Sequence, residues 1–260
     1  YFHLVYVIDI SLENYNLTYK TFGTSAILIE WPAKIDEKII QDIISFEKLV
    51  AKEQEVVDTI IAYNSLTISY NKDTNYSTHY KYRNSYTKKV QKLTELYVQK
   101  RDHIQKSQKI WQIPVCYDVA FGLDLEAISK EKECSIEDII DLHTQPNYLI
   151  YFLGFQPGFL YLGGLNPQIH IPRKANPRLR VEKGSVGIGG EQTGIYPQDS
   201  AGGWNLIGKS PIDFFNIQKP QPCFAKAGDY IQFEAIDLET FHQISEEVNK
   251  GEYQPNFRWI

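Results

Sequence analysis

Twelve of the 16 glycines fall between Gly154 and Gly208, while the first 150 residues hold only Gly23 and Gly122. Glycine opens backbone conformations that other residues avoid, and it interrupts helices and strands. An imbalance this sharp divides the chain into two kinds of structure. The amino-terminal part can build long regular elements, whereas the glycine-dense part is confined to short strands and tight corners.

The amino-terminal part reads as α+β. Ser25 to Trp31 is a short apolar run of strand type. Asp36 to Val50 carries Ile39/Ile43, Ile40/Ile44 and Phe46/Val50 four residues apart, which predicts an amphipathic helix. Val56 to Ala62 and Leu66 to Tyr70 read as strands around Tyr63-Asn64-Ser65, and Leu66, Ile68 and Tyr70 alternate with polar residues. Tyr86, Val90, Leu93 and Tyr97 return to helical spacing, which predicts a helix from Tyr86 to Ile104. The order β-α-β-β-α is that of a ferredoxin-like sandwich with both helices on one sheet face. The pattern changes between Lys106 and Ile113, so residues 1–107 and 108–260 are expected as separate domains.

In the second part, Leu123 to Lys130 and Ser135 to His143 read as short helices, with Ser135 as N-cap and Glu137 and Asp138 in the first turn. Tyr148 to Leu153 is a solid apolar run suited to a central strand. Short strands follow at Val186 to Ile188, Leu206 to Ile207, Asp213 to Ile217 and Tyr230 to Ala235, with a turn at Lys226-Ala227-Gly228-Asp229. That spacing predicts a mainly-β domain built as a closed or nearly closed barrel.

Composition removes several function classes. The 260 residues are 43% apolar and 23% charged, enough to bury a core without disulfides or metals. A net charge of −5 argues against a dedicated nucleic-acid binder, and no apolar run is long enough to span a membrane. Tyr1 to Ile10 lacks the basic flank and cleavage site of a secretory signal. Cys116, Cys134 and Cys223 form no C-x-x-C, which points to buried free thiols in a reducing cytoplasm. The six histidines show no metal-ligand spacing, so no metal site is expected.

The chemistry concentrates between Gly154 and Pro211. Long loops rich in Gly and Pro cost stability and persist mainly for function. Phe155, Phe159, Tyr161, Tyr196 and Trp204 can wall a pocket, and Gln156, Gln192 and Thr193 can present amide and hydroxyl groups to it. The alternative is a barrel whose aromatics are simply core. From Asn147 to Ser210 there are six bases and three acids, a local balance of +3 in an acidic chain. An anionic ligand would be drawn there, and Arg173 and Arg178, each following a Pro, are suited to bidentate capture of it. Lys174, Arg180 and Lys183 read as solvated surface charge. His143, at a helix end before the apolar strand, is a candidate general base or a cap on the helix dipole.

One pattern match fails on context. Gly203-Trp204-Asn205-Leu206-Ile207-Gly208-Lys209-Ser210 fits G-x-x-x-x-G-K-[ST]. A phosphate-binding loop of that kind follows a buried strand and opens a helix. Here a polar loop precedes the match and Pro211 follows it.

Tyr151-Phe152-Leu153-Gly154-Phe155-Gln156-Pro157-Gly158-Phe159 and Tyr161-Leu162-Gly163-Gly164-Leu165 resemble the signature of the allophanate hydrolase subunit 1 / KipI / PxpB family. Pro172-Arg173, Pro177-Arg178, Gly184 to Gly190, Gln192 to Pro197 and Gly202-Gly203-Trp204 continue the likeness in the same order. It is dense from about His143 to Phe215 and fades outside, where only Gly23 to Ala26 resembles the family start. Leu160 and Ala201 stand where the family often has Pro, and Val181-Glu182 where Val-Pro is usual.

The resemblance implies a cyclophilin-like barrel for the second domain. It implies one component of an ATP-dependent 5-oxoprolinase that opens 5-oxoproline to glutamate with PxpA-like and PxpC-like partners, and that does little alone. It also allows a KipI-like inhibitor of a sensor histidine kinase; a prolyl isomerase is a third reading, from barrel analogy alone. On the enzyme reading His143, Arg173 and Gln192 are the expected catalytic residues. Gln156, Phe159, Tyr161, Arg178, Thr193, Tyr196 and Trp204 are the expected substrate-binding residues.

Overall fold

The computed structural model describes residues 6–7, 15–71, 79–100 and 108–260. The chain divides into two compact units, Tyr1–Lys106 and Ser107–Ile260.

The first unit runs β1 (Tyr6–Val7), β2 (Thr18–Phe22), β3 (Ala26–Glu30), α1 (Glu37–Val50), β4 (Val56–Ile61), β5 (Ser65–Tyr70) and α2 (His79–Gln99). The strands form one sheet in the order β1-β2-β3-β5-β4, every neighbouring pair antiparallel. β5 lies between β3 and β4, so α1 links two strands across a gap, and the strand beside β3 is β2, which precedes it in the chain. Two-residue alternation sets the faces. Ile27 and Ile29 on β3 and Leu66 and Ile68 on β5 are buried, while Leu28 and Thr67 stay half-exposed. Gly23, at φ +64°, makes the tight β2–β3 turn, and a side chain there would be strained. α1 is capped by Asp36, which accepts from the Lys38 N–H at 2.9 Å, and it buries Ile39, Ile40, Ile43, Ile44, Phe46 and Val50. α2 begins seven residues before the apolar spacing does, in a polar stretch where periodicity gives no signal. The end expected at Ile104 lies outside the described residues.

A buried charge ties the two helices together. The carboxylate of Asp42 on α1 accepts from Trp31 Nε1 at 2.7 Å and Tyr97 O–H at 2.6 Å, and it pairs with the ammonium of Lys100. The Lys100 side chain is only 2% exposed. Tyr97 packs edge to face with Trp31 and Phe46, which are tilted to each other, around this group.

The second unit runs β6 (Lys109–Cys116), α3 (Leu125–Lys132), α4 (Ile136–Thr144), β7 (Tyr148–Leu153), β8 (Leu160–Gly163) and a 3₁₀ turn at Pro167–Ile169. It continues with β9 (Arg178–Val181), β10 (Ser185–Gly189), β11 (Gln192–Ile195), β12 (Ser200–Gly202), β13 (Asn205–Lys209), β14 (Tyr230–Ile236), α5 (Leu238–Lys250) and β15 (Phe257–Trp259). The main sheet has the order β11-β10-β13-β6-β14-β7-β8, with β15 on the same edge of β6 as β13. Its end strands β8 and β11 lie against each other, so the sheet curls into a nearly closed barrel. β9 and β12 form a separate ribbon. Ile113, Val115, Ile150, Leu162, Val186, Ile188, Ile207, Ile231 and Phe233 fill the interior. Ser135 and Asp138 cap α4 reciprocally, side chain to backbone in both directions.

One expectation is corrected here. Asp213 to Ile217 is not a strand; no helix or strand occurs between Ser210 and Asp229. Ile212 and Phe214 read as strand residues because they are apolar, yet they serve as plugs in the core while Ile217 is 74% exposed. α5, for which the sequence gives no reading above, is capped by Asp237 and packs through Phe241, Ile244 and Val248. No helix among the described residues is long and apolar enough to cross a membrane.

The Asp42 cluster makes a quantitative prediction. Asp42→Ala is expected to destabilise the first unit by about 3–5 kcal/mol, because Lys100 loses its carboxylate where water does not reach. Lys20→Ala, at the Lys20–Glu30 pair whose side chains are 37% and 32% exposed, is expected to cost about 0–1 kcal/mol. Urea unfolding of the full chain measures both, and equal losses would contradict this account.

Candidate functional site

The aromatic residues of the glycine-rich segment do gather, forming a core cluster separate from the barrel interior. Phe159, Val181, Tyr196, Trp204 and Leu206 pack together with Tyr161 against them. Ring centroids stand 5.1 Å apart for Phe159–Tyr161, 5.7 Å for Phe159–Trp204 and 6.2 Å for Tyr196–Trp204, all in edge-on arrangements. Two glycines let this happen. A Cβ on Gly189 would enter the Trp204 indole, and one on Gly202 would enter the Tyr196 phenol. Glycine is therefore a packing requirement here rather than a flexible joint.

The cluster walls a cavity of about 300 Å³ lined by Phe155, Phe159, Tyr161, Arg173, Pro177, Tyr196, Ala201 to Gly203 and Trp204. Phe155 stands at its mouth, 67% exposed, with its ring 5.5 Å from Phe159 and its backbone at φ +63°. A bulky side chain in the left-handed region costs about 1–2 kcal/mol, a strain that concentrates at ligand sites. Arg173 supplies the charge. Its guanidinium carbon lies 5.8 Å from the Trp204 ring centre, and Nη2 is 3.5 Å from Gln192 Oε1. Among the described residues no carboxylate pairs with it.

A buried carboxylate fixes the loop that presents Arg173. Asp124, 4% exposed at the start of α3, accepts from Arg178 Nη2 at 2.8 Å, Lys174 Nζ at 2.7 Å and the Leu206 N–H at 2.7 Å. Burial alone would lift its carboxyl above the ordinary range, but the hydrogen bonds from Arg178, Lys174 and Leu206 outweigh burial and hold it below. Asn205 Nδ2 donates to Pro172 O at 2.9 Å, and Lys174 N donates to Gly203 O at 2.7 Å. The residues on both sides of Arg173 are thus clamped, and Arg173 itself lines the cavity with Gln192 as its hydrogen-bond partner. Asp124 and Asn205 were missed in the sequence. Asp124 reads there as an ordinary acid at a helix start, and nothing local marks Asn205.

The expected site residues therefore separate. Phe159, Tyr161, Tyr196, Trp204 and Arg173 meet at the cavity, with Gln192 at hydrogen-bonding range of Arg173. Arg178 is instead engaged by Asp124 and the Trp204 carbonyl. Gln156 is half-buried outside the lining, and its amide oxygen is buried without a partner among the described residues.

His143 and Thr193 lie in the core, 0% and 1% exposed. Tyr117 O–H stands 2.7 Å from His143 Nδ1, His143 Nε2 stands 2.8 Å from Thr193 Oγ1, and Thr193 donates to Gly187 O at 3.1 Å. Since Thr193 gives its proton to Gly187, the chain closes when Nε2 carries the imidazole proton and Nδ1 accepts from Tyr117. The imidazole also stacks on Phe233 at 4.4 Å. Both ring nitrogens are used, and His143 does not line the cavity. His143 is a barrel-core residue in this geometry, not a base at the cavity. Among the described residues no three His, Cys, Asp or Glu side chains cluster as metal ligands.

Known proteins resemble this chain in sequence and fold. Residues 17–225 match the family described as carboxyltransferase domain, subdomain C and D. A component of the 5-oxoprolinase of Bacillus subtilis (strain 168), the one lettered B, is 37% identical over 231 residues, which are 87% of this chain and 96% of that one. The crystal structure of TTHA0988 is 28% identical with a TM-score of 0.68; the likeness covers 82% of this chain but 40% of that protein's length. Urea amidolyase of K. lactis, 17% identical, shares the fold over 98% of this chain and 17% of its own length, with a TM-score of 0.76.

Burial holds the His143 pKa down to about 3. The folded state keeps it neutral where the unfolded chain, at about 6.5, takes up a proton. The stability it supports is complete above about pH 6.5 and falls as pH drops toward 3, by up to about 1.4 kcal/mol per pH unit. His143→Gln is expected to lose about 1 kcal/mol less than the native chain between pH 7.5 and 5.5. Urea midpoints at the two pH values test this, and parallel losses would contradict a neutral buried imidazole.

Proposed function

This chain belongs to the PxpB family of 5-oxoprolinase components, within the carboxyltransferase-domain subdomain C and D proteins, and we propose that it fills the PxpB place in a 5-oxoprolinase. The observation that carries the reading to the site is Arg173, an accessible guanidinium beside the Trp204 ring, without a carboxylate partner among the described residues, in a cavity that Phe159 also lines. A 5-oxoproline molecule is a flat five-membered lactam bearing one carboxylate. Its carboxylate matches Arg173, its ring matches the aromatic walls, and the Gln192 amide is placed to hydrogen-bond the lactam amide. A fixed guanidinium and amide can also stabilise negative charge developing on the lactam oxygen as the ring opens. Phe155 completes the reading as the group at the mouth, with Gln156 beside it in the chain and outside the lining. His143, Thr193 and Arg178 serve it by holding the barrel and the Arg173 loop.

Opening a lactam to glutamate is coupled to ATP in the family this chain resembles, and that coupling is part of the proposal. The aromatic cavity does not suit the nucleotide. It has one guanidinium, and the string Gly203 to Ser210 contains strand β13 rather than a loop leading into a helix. The partners on this reading are PxpA-like and PxpC-like subunits, and the setting is the cytoplasm, where Cys116, Cys134 and Cys223 would remain thiols. We also read the units as separate domains. The first, with its β3-α1-β4-β5-α2 order, would be a ferredoxin-like variant, and the second a cyclophilin-like barrel.

Reconstitution with the two partner subunits tests the proposal through 5-oxoproline-dependent glutamate formation. Arg173→Ala is expected to lower kcat/KM roughly ten- to a hundredfold, the loss of one charge-assisted contact of about 1.5–3 kcal/mol, with the fold intact. Glutamate formation unaffected by Arg173→Ala, or absent from every combination of subunits, would overturn it. In the latter case a kinase-binding role becomes the next candidate.

A further inference from the structure

The strand β15 is paired on one side only. It lies antiparallel to β6, with Phe257 opposite Trp111 and Trp259 opposite Lys109, and among the described residues no strand covers its other edge. The register decides which backbone groups are left over. Gln108 and Ile260 exchange hydrogen bonds at 3.3 and 3.0 Å, and Gln112 N donates to Asn256 O at 2.9 Å. In an antiparallel pair such residues alternate with others whose N–H and C=O point away from the partner strand. Phe257 and Trp259 are of the second kind, so their backbone groups face the open edge.

The side chains give this edge its chemistry. Alternation puts Lys109, Trp111, Phe257 and Trp259 on one face of the sheet. Phe257 and Trp259 are 41% and 59% exposed, the kind of open apolar edge that sheets otherwise cover or charge. The Lys109 ammonium lies 4.6 Å from the Trp111 ring centre, 3.9 Å from that of Phe257 and 5.2 Å from that of Trp259. It is thereby carried from its own strand toward the open edge. Lys109, Trp111 and Phe257 also line a cleft of about 610 Å³, together with the irregular connection from Ile212 to Phe224 that bears Lys219. No carboxylate pairs with Lys109 or Lys219 among the described residues. The acid of the cleft, Asp213, is already paired with Lys183.

Open backbone donors and acceptors call for an extended chain, and two unpaired ammonium groups call for carboxylates on it. A strand added to β15 would run about 4.8 Å from it, and every second side chain would rise on the face that carries the Lys109 ammonium. We propose that β15 is a docking edge for an extended acidic segment of a partner protein. The segment adds a strand against Phe257 and Trp259 and sets its carboxylates on Lys109 and Lys219. The cleft shares no lining residue with the aromatic cavity, and the proposal does not depend on the lactam-opening reading.

The probe is a fluorescein-labelled, end-blocked peptide of alternating Glu and Val, titrated with the purified full chain and read by anisotropy. Saturable binding is expected, weakening as salt rises. Methylating the peptide's backbone nitrogens throughout removes the strand-forming donors and leaves the charge, and is expected to weaken binding about tenfold. Lys109→Gln is expected to weaken it about tenfold, and Lys219→Ala, at an exposed position where folding is not in question, severalfold. Arg173→Ala is expected to leave it unchanged. No saturable binding would overturn the proposal. So would a methylated peptide binding as tightly as its parent, which would mean charge attraction alone, or unaltered binding by both lysine variants. Displacement of the peptide by free glutamate at the peptide's own concentration would make the cleft a small-anion site. A dimer of the chain that Lys109→Gln dissociates would give the edge to a second copy. Either result also overturns the proposal. Because only binding is read, failure here is distinct from failure to form glutamate.

Discussion

A carboxylate removed from water is costly unless its lone pairs are filled, and the geometry of this site follows from how Asp124 fills them. Its three donors come from separate places in the chain: Lys174 from the loop after the 3₁₀ turn, Arg178 from the start of β9, and the Leu206 N–H from β13. A charge so satisfied holds those segments in one relative position. Arg173 lies within the clamped loop and Trp204 just before the clamped strand. One buried group therefore fixes the spacing between the cation and the aromatic face of the cavity.

The same arrangement explains the local charge. The window from Asn147 to Ser210 carries six bases, but five are committed to acids. Lys174 and Arg178 serve Asp124, Arg180 serves Asp199, Lys183 serves Asp213 and Lys209 serves Glu182. The surplus that marks the segment as anion-attracting reduces to one available guanidinium. A single cation between aromatic walls selects a small, singly charged, flat ligand, which is a narrower demand than a basic patch makes.

Much of this was legible in the sequence because it is periodic or compositional. The four-residue spacing of α1, the alternation of β5 and the capping residues at Ser135 are local signals, and local physics decided them. The gathering of Phe159, Tyr161, Tyr196 and Trp204 could be anticipated because glycines placed among large rings make room for them. Functions set by distant partners could not be read. Arg173 and Arg178 both follow a Pro and look alike; the carboxylate that separates them lies about fifty residues earlier in the chain. His143 sits at a helix end as a base might, yet Tyr117 and Thr193 close around it from other strands and loops. Apolar residues at 212–217 imitate a strand because burial, not hydrogen-bonded pairing, selected them.

The central claim is that the cavity beside Arg173 receives the small anionic lactam. A crystal structure of the chain soaked in 5-oxoproline addresses it most directly. The account predicts the ring within the cavity that Trp204 and Phe159 line, the carboxylate on the Arg173 guanidinium and the lactam amide toward Gln192. Ligand density at another location with this cavity empty would contradict it.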